Sequence, residues 1–228
     1  MSKYPAYQQT RESFGIGVLG TALVEVEADD GTVGFAVTTG GVPACYLIEH
    51  HFKRFIVGQD AANVEVMFDQ MYNASLFYGC KGLTINAISA VDLAVWDLLG
   101  KLRGEPVYAM IGGKVRDAQP MYATTPRPDL AKKMGFVAGK IPLPYGPAHG
   151  EQGLSQNIAL AADMREACGD DFPLAFDCWM ALSCEYALKL IKALEPYNFR
   201  WIEERLPPED YKGHRRLIAQ RSDSDHDR

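Results

Sequence analysis

Two carboxylates at the ends of two apparent strands are the residues best placed to do chemistry. One strand reads Phe172-Pro173-Leu174-Ala175-Phe176-Asp177-Cys178-Trp179 and the other Asn198-Phe199-Arg200-Trp201-Ile202-Glu203-Glu204, with a helical stretch from about Ser183 to Glu195 between them. Strand, acid, helix, strand, acid is the order in which a parallel α/β barrel delivers side chains to one rim. Asp177 and Glu203 lie 26 positions apart, the length of one βα repeat, so they come from neighbouring strands. Oxygen donors so placed suit Mg2+, which takes a few carboxylates and completes its octahedron with water and substrate. The plainer alternative is that strand-end acids cap the helices that follow. A two-carboxylate glycosidase is a further one. Glu204 points the other way from Glu203 on a strand and is the weaker ligand.

Lys140 ends another apparent strand, in Gly139-Lys140-Ile141-Pro142. It faces the same rim and could stabilise negative charge; the alternative is a solvated loop lysine. Trp179 and Trp201 flank the acids and read as packing rather than as stacking platforms for a substrate.

These residues need a scaffold, and the chain changes rhythm to supply it. Residues 1–117 read as an α+β domain. Ile16 to Ala28 and Val33 to Val37 form a strand pair around the turn signal Asp29-Asp30-Gly31-Thr32. Helical patterns follow at Ala44–Phe55 and Val64–Ser75. The strongest runs from Asn86 to Lys101, with Ile88, Val91, Val95, Leu98 and Leu99 on one side and Gly100 and Gly104 at its end. From 118 to 217 strands alternate with helices: strands at Gln119–Thr124 and Phe136–Ile141, helices at Pro128–Met134 and Leu154–Cys168, then the acid-bearing pair. Four such βα repeats predict a parallel sheet, fewer strands than the eight of a full barrel. Residues 218–228 read as a polar, disordered tail.

Bulk properties narrow the function. At 228 residues, 47% hydrophobic and 23% charged, the chain is an ordinary globular protein. A formal net charge of -6 with no basic stripe argues against a nucleic-acid partner. Cys45, Cys80, Cys168, Cys178 and Cys184 form no CxxC pair, which predicts a reducing compartment and no zinc site. His50 and His51 are adjacent on a helix and read as structural. No apolar run reaches the roughly 18 residues that span a bilayer, and the N-terminus lacks the apolar core of a signal peptide. A soluble cytoplasmic protein with no membrane partner is expected.

Several motifs together are more specific. They are Ser13-Phe14-Gly15 with Val18-Leu19-Gly20-Thr21, the helix from Ile88 to Lys101, Pro106-Val107-Tyr108 with Ile111-Gly112-Gly113, Arg127-Pro128-Asp129-Leu130-Ala131, Asp177-Cys178-Trp179-Met180, and Trp201-Ile202-Glu203-Glu204 with Leu206-Pro207-Pro208. In these the chain resembles the enolase superfamily of mandelate racemase/muconate lactonizing type, and within it the L-rhamnonate dehydratases, from about Met1 to Leu217. The resemblance implies an N-terminal α+β capping domain followed by a (β/α)7β barrel, here about its first four βα units. It implies that Asp177 and Glu203 are two of three Mg2+ ligands. It implies a small sugar acid such as L-rhamnonate as substrate, with α-proton abstraction, an enediolate stabilised by the metal, and loss of the β-hydroxyl to give a 2-keto-3-deoxy acid. A homo-oligomer is a possible assembly.

The chain departs from that pattern. The third ligand and the His base would lie on later strands, Pro142 replaces the second lysine of a Lys-x-Lys pair, and the start looks short. Shortness at both ends, with little or no turnover, is therefore the expectation. A non-catalytic remnant or partner-binding fragment, joined through the helix around Trp96, is the alternative.

Overall fold

The structure is a computed structural model that describes residues 19–79 and 81–224, with side chains described as far as Ala219. The Ser13-Phe14-Gly15 motif, Val18, the strand start at Ile16, Cys80 and residues 225–228 lie outside the described residues. The chain divides between Asp117 and Ala118 into two compact units.

The first unit is a hairpin laid on a long helix. Strands β1 (Thr21–Glu27) and β2 (Val33–Thr39) pair antiparallel. Asp30 Oδ1 accepts the Thr32 amide at 2.9 Å and closes the turn between them. Helix α1 (Gly41–Leu47) runs into a π-turn at Ile48–Phe52, then α2 (Val64–Ala74) leads to α3 (Leu83–Arg103). Helix α3 ends where Gly104 adopts φ +65° and Glu105 N donates to Gly100 O. The core unites Val24 and Ala36 of the hairpin with Phe52, Met67, Met71, Ile88, Val91 and Val95.

By length and composition α3 could cross a membrane, contrary to the absence of such a run expected from sequence. Its apolar face is the floor of this core, and Asp92, Asp97 and Lys101 stand among its apolar residues. A four-residue helix, α4 (Val107–Met110), follows.

The hairpin rests so closely on α3 that no side chain fits between them at Gly34. A Cβ there would lie 2.2 Å from Ala94 O and 2.6 Å from Leu98 Cβ. Polar contacts fix the same seam. Asp97 Oδ2 accepts the Phe35 amide at 2.9 Å, and Lys101 Nζ reaches Asp97 Oδ2 at 2.6 Å and Val33 O at 2.8 Å.

The second unit is a four-stranded parallel sheet in sequential order, β3 (Tyr122–Thr124), β4 (Ala138–Pro142), β5 (Leu174–Asp177) and β6 (Phe199–Glu203). The connections are α5 (Pro128–Lys133), α6 (Gly150–Cys168) and α7 (Cys184–Leu194). Helix α6 starts four residues before the Leu154 read from sequence, after a single 3-10 turn at Pro147–His149. Helix α8 (Tyr211–Ser224) takes in residues 218–224 of the segment read as a tail, and the rest of that segment lies outside the described residues. Leu217 is buried on this helix, and Arg215, Arg216, Ala219, Gln220 and Arg221 are all good helix formers, so the turns continue past the last apolar anchor. One face of the sheet packs Ile141, Leu174 and Phe176 against Leu154, Ala161, Leu190, Leu194 and Leu217 of the helices.

Two outcomes check the hairpin seam. We expect Gly34→Ala to cost about 1–3 kcal/mol by overpacking and to lower Tm by several degrees in a far-UV circular dichroism melt. An unchanged Tm would refute the close approach. The Asp97 carboxyl is held below its ordinary value, first by the hydrogen bond from Lys101. Its contribution is therefore present above about pH 3.8 and lost as pH falls through the depressed folded-state value. Asp97→Asn should lower Tm at pH 7 and leave it closer to the parent near pH 3. An equal gap at both pH values would argue against this role.

Candidate metal centre

The alternation of a strand sends every second side chain to one face. On β4 that puts Ala138, Lys140 and Pro142 together, and on β5 Ala175 and Asp177. Lys140 pairs with Ala175, and Pro142 with Asp177. Strand β6 joins this face only through an irregularity. Leu174 pairs with Phe199, but Ala175 pairs with Trp201, so Arg200 is an extra residue. Phe199 stays on the helix side, stacked on Phe176 at 4.6 Å. Beyond the bulge Trp201 and Glu203 turn to the opposite face, and Glu203 falls directly beside Asp177. A one-residue slip reverses a strand's faces; here the bulge is what brings the second acid to the first.

The strand entries are held by Arg165 of α6, which is 8% exposed. Its Nε donates to Tyr197 O at 2.9 Å, Nη1 to Gly169 O at 2.9 Å and Phe172 O at 2.7 Å, and Nη2 to Asn198 O at 3.0 Å. One guanidinium thus ties down the chain just before β5 and just before β6. Asn157, fully buried, does the same for the loop after β4, exchanging hydrogen bonds with the Tyr145 backbone and donating to Tyr186 Oη.

At the rim the two acids meet one cation. Lys140 Nζ lies 2.5 Å from Glu203 Oε1 and 3.2 Å from Asp177 Oδ2. Lys140 and Asp177 are each 7% exposed, while the Glu203 side chain keeps 34%. Burial by itself depresses the Lys140 ammonium, but the hydrogen bonds and charges of Glu203 and Asp177 outweigh it and hold the ammonium above its ordinary value. Glu203 is held below the usual carboxylate range, first by Lys140, against burial and with help from Trp201. Trp201 Nε1 donates to Glu203 Oε2 at 3.1 Å. Burial pushes the neighbouring Cys178 thiol up to about 12, with the Asp177 charge adding to it, so this cysteine is neither a thiolate ligand nor a nucleophile at neutral pH.

These contacts decide two of the sequence alternatives, the helix caps and the solvated lysine. Lys140 is not a solvated loop lysine. Neither acid caps the next helix: Ser183 Oγ accepts the Tyr186 amide at the start of α7, and Asp210 Oδ1 accepts the Gly213 amide at the start of α8. Asp177 Oδ1 instead accepts the Trp179 amide at 3.2 Å. Glu204 is exposed, with φ +47°. Trp201 does more than pack. His50 and His51 lie in the first unit, beside Tyr46 and beside Phe52, Phe55 and Tyr78 respectively. Sequence reasoning missed Arg165 and the bulge; the strand-helix pattern announces neither.

The donor set fits part of the shell of a hard cation. Two carboxylate oxygens converge on a position that already attracts a positive group, with no sulfur donor among the contacts. No cluster of three or more His, Cys, Asp or Glu able to hold a metal occurs among the described residues.

Comparison with known proteins follows the same lines. Residues 16–112 match the family model for the mandelate racemase / muconate lactonizing enzyme N-terminal domain, and residues 129–224 match the enolase C-terminal domain-like model. The chain belongs to the enolase superfamily, with its N-terminal capping domain and part of its parallel α/β barrel domain. It is 57% identical over 217 residues to an L-rhamnonate dehydratase of Saccharopolyspora erythraea, a match that covers 95% of this chain and 56% of that protein. A crystal structure of L-rhamnonate dehydratase from Gibberella zeae superposes with a TM-score of 0.93 at 50% identity, covering 98% of this chain and 57% of that one. A structure of rhamnonate dehydratase from the same organism complexed with Mg superposes at 0.92 with 51% identity, covering 96% and 54%. The chain thus spans about half the length of these relatives. Mg2+ is the cofactor this family uses, consistent with the oxygen donors of Asp177 and Glu203.

We expect Lys140→Met to destabilise the metal-free protein by on the order of 2–3 kcal/mol, since it strands a buried carboxylate without a counter-ion. Chemical denaturation at neutral pH measures this. A neutral effect would mean that the ion pairs contribute nothing to the rim.

Proposed function

We propose that this chain carries the Mg2+-holding part of an acid-sugar dehydratase of the L-rhamnonate type, which forms a 2-keto-3-deoxy acid by α-proton abstraction and β-hydroxyl elimination. The observation that carries the reading is the direct pairing of Asp177 with Glu203 on adjacent parallel strands, with Lys140 between them. The identity to L-rhamnonate dehydratases over nearly the whole chain supports the substrate class.

In this reading Asp177 and Glu203 hold Mg2+ through carboxylate oxygens. When bound, the ion supplies Lewis-acid stabilisation to the carboxylate of a sugar acid. Lys140 brings a positive charge to the same rim and offsets charge that develops on an acid substrate. Trp201 orients Glu203, and Arg165 and Asn157 keep the strand ends and the loop after β4 in place. Among the described residues no histidine and no third acid reaches this rim. Binding without turnover is therefore the property we assign to the 228-residue polypeptide.

The test is a thermal melt with and without Mg2+, together with a keto-acid assay on L-rhamnonate. At free Mg2+ ten times Kd the melt should gain about 1.4 kcal/mol. Asp177→Asn and Glu203→Gln should abolish the gain, and no keto acid should form above the buffer rate. A Mg2+ response that survives both substitutions would sink the site. Robust turnover would sink the binding-only reading while keeping the reaction class.

A further inference from the structure

Glu203 has two carboxylate oxygens, and the structure assigns each a different partner. Oε1 faces the Lys140 ammonium at 2.5 Å. Oε2 accepts the Trp201 indole N–H at 3.1 Å. Trp201 precedes Glu203 by two residues on β6, so both project from the same face. The indole is itself braced. Its ring meets Tyr122 of β3 edge to face, with centroids 5.4 Å apart and planes at 77°. The Tyr122 ring also lies 5.8 Å from Lys140 Nζ. Across the pair from Trp201 stands Ala175, fully buried and small, which leaves room for the indole beside β5. The donor that holds Oε2 is thus a half-buried ring on the edge strand β6 that meets the Tyr122 ring of β3.

We propose that Trp201 is a positioning residue that makes this site select Mg2+ over Ca2+. The inference rests on the cation reading of Asp177 and Glu203. The indole keeps Oε2 turned toward itself, so Glu203 presents Oε1 alone to the place where Lys140 now brings its charge. A carboxylate held this way is a single-oxygen ligand. Mg2+ is small, binds carboxylates through one oxygen and keeps its remaining positions for water and substrate. Ca2+ takes six to eight oxygens at longer distance and gains from carboxylates that chelate through both. A hydrogen bond that withholds the second oxygen therefore penalises Ca2+ and costs Mg2+ nothing. It also fixes the orientation of Oε1, as an outer hydrogen-bond partner does for a metal ligand.

The experiment is calorimetric titration of the 228-residue chain with Mg2+ and, separately, Ca2+, comparing the parent with Trp201→Phe. The parent should bind Mg2+ more tightly than Ca2+. In Trp201→Phe we expect Mg2+ affinity to fall about tenfold or more and Ca2+ affinity to hold or rise, so that the Mg2+/Ca2+ ratio drops at least as far. A purely structural role would weaken both ions by the same factor and leave the ratio alone. Tyr122→Leu, which loosens the brace without touching the carboxylate, should move the ratio the same way by a smaller factor and keeps the test open if Trp201→Phe does not fold. A ratio unchanged in a folded variant overturns the inference and leaves the cation site standing. So does a parent that binds Ca2+ as tightly as Mg2+. A parent that binds neither ion overturns the cation reading, and the inference with it.

Discussion

Two carboxylates brought side by side at the end of a sheet repel each other, and a positive charge between them offsets that repulsion. In this protein Lys140 supplies that charge, and much of the second unit can be understood as what is needed to keep it there. Lys140 must sit on β4, one pleat before the end, to reach acids that stand at the ends of β5 and β6. That in turn requires the sheet order β3-β4-β5-β6 and the observed pairing of Lys140 with Ala175. Gly139, the residue before it, lets α5 close on the back of β4: a Cβ there would stand 2.5 Å from Pro128 Cβ. The lysine on the front and the missing side chain behind it are two faces of one local solution.

The sheet divides its work between those faces. The helix side is apolar, and burying Ile141, Leu174, Phe176, Leu190 and Leu194 against one another supplies a large driving force that has no direction of its own. Such a core tolerates shifts that would ruin a metal centre. Direction comes from the polar groups at the margins. Arg165 anchors the starts of β5 and β6 through backbone carbonyls, and Asn157 anchors the loop beyond β4. These contacts fix where each strand begins and how its chain leaves the sheet. The hydrophobic layer alone leaves both free.

The legible part of this fold was the part carried by periodicity. The apolar stripe of α3 and the alternating strands and helices after residue 118 show in side-chain pattern, because each element buries a face larger than any local exception. Asp177 and Glu203 were legible for the same reason, as polar residues closing apolar runs. The bulge at Arg200 was not. It depends on how two strands are paired, and nothing in Phe199-Arg200-Trp201 marks it. Without it the alternation on β6 still places Trp201 and Glu203 on one face, but does not say which. Arg165 was hidden in a helix whose other residues are ordinary, since its partners are backbone carbonyls that carry no sequence identity. Helix α8 was missed because its later turns lack apolar residues and rest on helix propensity and on Leu217.

Beyond the last ladder residues the two strands do not part. Cys178 N donates to Glu203 O at 3.0 Å, Met180 N to Glu204 O at 2.6 Å and Leu182 N to Arg205 O at 3.1 Å. These bonds stitch the exits of β5 and β6 together through a turn in which Trp179, Met180 and Glu204 all adopt left-handed backbone, at φ 53°, 58° and 47°. Each such residue costs on the order of 1 kcal/mol, and the cross-strand bonds hold the conformation against that cost. The consequence falls on the acids just before the turn. Their backbones are fixed from both ends, by the sheet below and by the stitched turn above. The spacing of the two backbones is therefore set by the main chain, while Lys140 and Trp201 place the carboxylates above them. With the strand exits held this way, only side chains have to move for the two acids to change partner, which is what a preorganised site requires.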